Sequence, residues 1–180
     1  MVKENEPTAK QVPKTNVTEL GLYLTPREAY EMWKADPERV NILDVRSFEE
    51  YIFVGHAEMA RNIPLVFPRY ELSADSGERP TKCSVEPNPD FVSAVKGLFA
   101  PTDTILVMCV SGHRAAIAVN QLAKAGFENV YNIINGLEGE KVDDPVSVYH
   151  GKPMKNGWKN CGLPWTYDFL PELMWVSPQK

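Results

Sequence analysis

Thr104-Ile105-Leu106-Val107-Met108-Cys109-Val110-Ser111-Gly112-His113-Arg114 places a short apolar run directly before a small polar loop. A continuous run rich in β-branched residues, bounded by turn residues, reads as a strand buried on both faces of a parallel sheet. Beyond the loop, Ala115, Val119, Leu122 and Ala123 recur at helical spacing, with Lys124 in the last turn and Gly126 as the C′ stop. Strand, tight loop and helix are thus consecutive. In such a unit the loop N–H groups converge on the helix N-terminus, whose partial positive charge favours an anion. Cys109 can supply that anion, and Arg114 adds a fixed positive charge at its edge, so both favour thiolate over thiol.

The same alternation continues on either side. Leu22-Tyr23-Leu24 reads as a strand, followed by Thr25 as N-cap, Pro26 at N1 and a helix to about Ala35 with Ala29, Tyr30 and Trp33 on its inner stripe. Val40 to Val45 is the next strand, Ser47 caps a short helix through Tyr51, and Gly55-His56 ends it. Arg61 to Pro64 reads as extended. From Val66 to Pro89, Pro, Ser, Asp, Glu and Gly mark a long excursion, after which Pro89 opens a helix through Phe91, Val95 and Leu98. Asn129 to Ile134 is the last strand of the series. Strands alternating with helices imply an α/β domain whose parallel sheet is covered on both faces, and ligands of such sheets bind beyond the carboxyl ends of the strands. Cys109 stands at such an end.

Composition narrows the function. A chain of 180 residues with 43% hydrophobic and 24% charged residues suits one soluble globular domain with appendages. A formal charge of −5 without a basic cluster argues against nucleic acid as a partner, and no apolar stretch approaches the roughly 20 residues of a membrane span. Cys83, Cys109 and Cys161 have no metal-ligand spacing. Cys83 and Cys161 read as small core hydrophobes, with one disulfide among the three cysteines left open. Residues 1–20 offer no apolar face and read as a disordered tail or linker, followed by a single domain over 21–170 and a C-terminal tail over 171–180. No signal-peptide apolar region is present, so the cytoplasm is the default compartment; an exported mature form fits if a signal was removed.

Three separated pieces resemble the rhodanese (sulfurtransferase) family: Ile42-Leu43-Asp44-Val45-Arg46 with Glu49, Glu50 and Tyr51; Gly55-His56 through Ala60 to Asn62-Ile63-Pro64; and the loop Cys109 to Arg114. Val130-Tyr131-Asn132 and Asn135-Gly136-Leu137 are similar to the strand and glycine turn that close that fold. The resemblance implies a rhodanese-like α/β domain in which Cys109 is the catalytic residue, taking sulfane sulfur from a donor such as thiosulfate and passing it from a persulfide to cyanide, a small thiol or a protein thiol. It also implies that Val110, Ser111, Gly112 and His113 form the persulfide-binding loop, that Arg114 closes it, and that no metal or organic cofactor takes part. Asp44 and Arg46 read as a supporting hydrogen-bonded pair beside the loop, and His56 as structural. Trp158, Trp165, Tyr167 and Phe169 read as packing anchors.

Two other functions compete. A dual-specificity phosphatase of the same fold also pairs a loop cysteine with an arginine, but with five intervening residues, whereas this chain has four. A catalytically silent rhodanese-like binding module would ordinarily have lost the cysteine. The chain also departs from the family pattern. Val110 stands where many thiosulfate-using members carry a basic residue, and Ala57-Glu58-Met59 replaces the usual apolar-Pro-Gly step. The closing segment Gly157-Trp158-Lys159-Asn160-Cys161-Gly162-Leu163-Pro164 is delayed, which implies an insertion over 141–156 and a final helix docking back on the core. With the excursion over 66–89, this gives two insertions at the active-site edge.

Overall fold

The computed structural model describes residues 12–72, 81–168 and 170–175, with the side chains of 70–83 outside the description. Its elements run β1 (Tyr23–Leu24), α1 (Pro26–Ala35), β2 (Val40–Asp44), α2 (Phe48–Phe53), β3 (His56–Ala57), β4 (Arg61–Asn62), β5 (Val66–Leu72), β6 (Thr81–Pro87), α3 (Phe91–Leu98), β7 (Thr104–Met108), α4 (His113–Lys124), β8 (Val130–Ile133) and β9 (Trp165–Thr166). The central sheet has five strands in the order β1-β8-β7-β2-β4, and every pairing in it is parallel. β7 lies at its centre.

Strand periodicity decides which side chains face which layer. Ile105, Val107 and Cys109 join Phe91 and Val95 of α3 and Ala115, Ala118 and Leu122 of α4 in one buried cluster. Leu106 and Met108 point the other way, to Ala29 of α1, Trp158 and Leu163. Both faces are therefore covered, which explains why the strand is apolar from Ile105 to Met108 rather than alternating.

Local signals place the elements around the site. Thr25 and Ser47 each form a reciprocal capping box, with Glu28 and Glu50 respectively. Gly126, at φ +97°, stops α4 as its C′ residue. Pro89 lies outside α3, whose N-cap is Asp90, so the proline precedes the helix rather than opening it.

Four further expectations change. Residues 12–20 are not a tail: Lys14–Asn16 forms a 3-10 turn, and Asn16 and Thr18 are buried. Their anchors are polar groups, the Ser111 carbonyl of the β7–α4 loop, the Asn132 amide of β8 and the Asn120 side chain of α4, which hydropathy patterning does not register. Residues 1–11 lie outside the described residues. The excursion over 66–89 contains a two-stranded antiparallel ribbon, β5 on β6, which tolerates Pro68 and Pro87 because a two-stranded ribbon is all edge. It leaves and returns at one point, since the Asn88 N–H donates to Leu65 O at 2.9 Å and Asn88 Nδ2 to Pro64 O at 2.7 Å.

At the C-terminal end, the expected closing helix is a pair of turns. Its one helical bond runs from Cys161 N to Gly157 O at 2.9 Å, followed by a tighter turn from Gly162 N to Lys159 O. Gly162 and Pro164 stop propagation before a helix can form. Trp158 still anchors the segment, fully buried, with Nε1 donating to Pro164 O at 2.8 Å. Residues 171–175 also depart from a free tail: Met174 bridges Asn62, the Trp175 N–H donates to Asn62 O, and the Trp175 ring stacks with Phe48 and Phe67. This segment covers the β4 edge of the sheet. Phe169, the side chain of Cys83 and residues 176–180 lie outside what is described.

Candidate active site

Cys109 follows β7 immediately and is 1% exposed, packed from below by the α3–α4 cluster. The Gly112 N–H points back at its Sγ over 3.2 Å. Gly112 carries φ +92°, and a Cβ there would lie 2.2 Å from Ile134 O, so only glycine lets the chain turn this tightly into α4.

The loop carbonyls explain why an N–H faces the sulfur. Cys109 O accepts from the Leu137 N–H at 2.8 Å, and Val110 O from the N–H groups of Glu138 and Gly139. Ser111 O accepts from Asn16 Nδ2 at 3.2 Å. Gly112 O accepts from Asn132 Nδ2 at 3.1 Å and starts the helix by accepting from the Ala116 N–H. Every carbonyl from 109 to 112 is thus held by a neighbouring segment. Because trans peptide C=O and N–H bonds point in opposite directions, anchoring the Ser111 carbonyl on Asn16 turns the other end of that peptide group, the Gly112 N–H, toward the sulfur. An N–H so placed before a helix suits an anion. Gly136 makes the approach of the 137–139 segment possible: its φ is +55°, and a Cβ there would meet Cys109 O at 2.3 Å.

The expected charges come together with an added partner. Arg114 donates NH1 and NH2 to Glu50 Oε2 and Oε1 at 2.7 and 2.6 Å, a two-pronged pair between α4 and α2. Burial tends to raise the Glu50 carboxyl, but the hydrogen bonds and charge of Arg114, with the Ser47 N–H, hold it below the usual carboxylate range. Arg114 is likewise raised, its burial outweighed by the hydrogen bonds and charge of Glu50. Glu50 is the N3 residue of the Ser47 capping box; the sequence placed it in the motif around Asp44 to Tyr51 without showing either partner.

Asp44 and Arg46 form a fully buried pair one strand away, with Arg46 NH2 2.7 Å from Asp44 Oδ2 and Nε 3.0 Å from both carboxylate oxygens. Arg46 NH2 also donates to Gly55 O, so the pair ties the end of β2 to the turn after α2. His56 stacks on Tyr51 at 3.6 Å, and its Nδ1–H donates to Tyr51 O, a structural arrangement in which burial lowers the imidazole pKa. His113 is exposed, with its Nδ1–H directed to Thr15 O at 3.0 Å. Beside the loop lies a groove of about 480 Å³, walled by Val110, Ser111 and His113 together with Pro13, Asn16 and Lys141. Pro13, Thr15 and Asn16 are the groove residues that sequence reasoning missed. No helix among the described residues is long and apolar enough to cross a membrane.

A lone cysteine in a four-spaced Cys-to-Arg loop, at the carboxyl end of the central parallel strand, defines a class: an α/β domain built around one cysteine loop. The chain belongs to the rhodanese family, whose model, described as Rhodanese-like domain, matches residues 25–141. An uncharacterized protein of Rickettsia conorii is 28% identical over 140 residues, covering 78% of this chain and 93% of its own. Thiosulfate sulfurtransferase 18 of Arabidopsis thaliana is 36% identical over 117 residues, covering 63% of this chain and 76% of its own. Thiosulfate sulfurtransferase 16, chloroplastic, from the same plant is 38% identical over 94 residues, covering 52% and 68%. Among solved structures, Rv0390 from M. tuberculosis superposes with a TM-score of 0.60 at 24% identity, covering 81% of this chain and 96% of its own, and supports the fold.

Proposed function

We propose that the protein is a sulfurtransferase that carries sulfane sulfur on Cys109. The Cys109 thiolate attacks the outer sulfur of a donor such as thiosulfate; the new S–S bond forms as the old one breaks, and sulfite leaves with the electron pair. The enzyme is left as a Cys109 persulfide. Cyanide or a thiolate then attacks the outer sulfur, leaves as thiocyanate or a persulfide, and restores the Cys109 thiolate. The reaction needs no external oxidant or reductant.

The observation that carries this reading is the loop itself. Four residues separate Cys109 from Arg114, the carbonyls are tied back, and the Gly112 N–H reaches Sγ at 3.2 Å. The smaller loop suits a single sulfur atom, whereas the five-residue phosphatase loop suits a phosphate tetrahedron. Val110, Ser111, Gly112 and His113 would present N–H groups to the persulfide. Arg114, paired with Glu50, would close the loop, and the Asp44–Arg46 pair would fix the neighbouring strand end.

The test is intact-mass measurement of the full chain after incubation with thiosulfate, mercaptopyruvate or an aryl phosphate. We expect the mass of one sulfur atom to be added by a sulfur donor and removed by cyanide. Retention of that adduct by Cys109→Ala, or aryl phosphate hydrolysis exceeding sulfur transfer, would overturn the assignment.

A further inference from the structure

We infer that Asn16, on the segment before the family domain, is a positioning residue for the cysteine loop, a reading that rests on the sulfur-transfer proposal for its catalytic consequence. The Ser111 carbonyl and the Gly112 N–H are two ends of one peptide group. Asn16 Nδ2 holds the carbonyl end at 3.2 Å, and the N–H end points at Cys109 Sγ over 3.2 Å. One rigid plane therefore connects Asn16 to the sulfur. A hydrogen bond to its carbonyl also polarises the N–H and strengthens the bond to sulfur.

The segment that carries Asn16 is itself fixed. Its backbone N–H donates to Pro13 O at 2.8 Å, its Oδ1 accepts from Thr15 Oγ1 at 3.1 Å, and its own carbonyl accepts from Asn132 Nδ2 at 3.3 Å. That same Asn132 amide donates to Gly112 O at 3.1 Å, the carbonyl end of the next peptide group. Asn16 is 4% exposed, and its Nδ2 lies 2.9 Å from where a Gly112 Cβ would be. Farther out, the Glu19 N–H donates to Asn120 Oδ1 at 2.8 Å, and Glu19 pairs with Lys124, so the strap is tied along α4 as well. The strap thus braces the loop's outer side while the sulfur occupies its inner side.

The experiment uses the ¹⁵N-labelled full chain and the variants Asn16→Asp, which keeps the size but loses the donor, and Asn16→Ala, which loses the donor without adding charge. In both, the Gly112 amide resonance should shift and its exchange with solvent should speed up about three- to tenfold, the range expected for one lost hydrogen bond. The amides of Ile42 and Leu106 should keep their protection. With thiosulfate, kcat should fall by a similar factor while KM is retained, and Val17→Ala, on an exposed neighbour, should change neither readout. An unchanged Gly112 amide in both variants would overturn the inference; so would protection lost equally at Gly112, Ile42 and Leu106, which marks a general structural role. If the wild-type chain forms no persulfide, the sulfur-transfer proposal fails, while the amide readout still decides whether Asn16 positions the loop.

Discussion

The Arg114–Glu50 pair can be isolated by a double-mutant cycle of Glu50→Gln, Arg114→Gln and both together. Glutamine at position 50 can still satisfy the capping box with Ser47, so the cycle removes the charge pair without uncapping α2. At 2.6 Å and an effective dielectric of about 20, the gross Coulomb attraction is roughly 6 kcal/mol. Desolvation of two ions offsets most of it, and the side chains remain 25% and 29% exposed, which lets solvent screen the rest. A coupling of about 1–2 kcal/mol at pH 7 is the expected remainder, between an exposed pair and a charge-assisted hydrogen bond.

The pH dependence of that coupling has a definite sign. Glu50 is held below its ordinary value of 4.5, so the unfolded chain binds the proton first. The pair's contribution is complete above pH 4.5 and is lost as pH falls through the lower folded value. Urea unfolding followed by tryptophan fluorescence at several pH values measures this directly. A coupling below about 0.3 kcal/mol at pH 7 would refute the reasoning, because it is the size of ordinary non-additivity error. A coupling that persists undiminished after Glu50 is protonated would refute it as well.

Gly136→Ala should cost at least about 2 kcal/mol, from an unfavourable positive φ and a Cβ 2.3 Å from Cys109 O, and lower Tm by roughly 4–8 °C; a Tm within 1–2 °C (about half a kcal/mol) of wild type would contradict the close approach. His56 is buried and its pKa is depressed from 6.5, chiefly by desolvation. The unfolded chain therefore takes up this proton before the folded one, so stability is complete above pH 6.5 and declines as pH falls toward the folded value. That decline should show as a falling urea midpoint below pH 6.5 and be absent in His56→Gln; an identical slope in both would remove His56 as its source.

The parts of the fold carried by apolar periodicity were legible in the sequence. The apolar run Ile105 to Met108 of β7 announced two covered faces, and Thr25-Pro26 and Ser47 marked helix starts through local hydrogen bonds. What escaped was held by long-range polar contacts. Asn16 reaches Ser111 across 95 positions and has no apolar face to betray it. The β5–β6 ribbon carries prolines and charges that read as loop because its pairing partner, not its own pattern, makes it a strand. The closing turns around Trp158 kept the anchor but not the helix, since the anchoring depends on one buried ring rather than on several turns of helix. At the candidate site, Cys109 and Arg114 stood out because their chemistry is rare and local. The pairing of Glu50 with Arg114 did not, because the two lie 64 positions apart and only the fold brings them together.

The engagement of Arg114 bears on what the loop can attract. With both guanidinium prongs on Glu50, Arg114 and Glu50 together present little net charge, and Val110 adds none. Stabilisation of a sulfur anion in the proposed reaction must then come mainly from the loop N–H groups and the start of α4, fixed partial charges that act at hydrogen-bond range and decay within about one helical turn. Such a site would hold a persulfide well once formed, yet exert little long-range pull on a dianionic donor, whose capture depends on net positive charge. A chain of formal charge −5 makes that pull weaker still. The geometry therefore favours sulfane sulfur delivered by a persulfide donor brought close by contact over thiosulfate drawn in from solution. Comparing thiosulfate KM across ionic strengths separates the two: weak salt dependence fits a backbone cradle, whereas a KM that rises steeply with salt would refute it and point to a cation outside the Arg114–Glu50 pair, such as Lys141 on the groove wall.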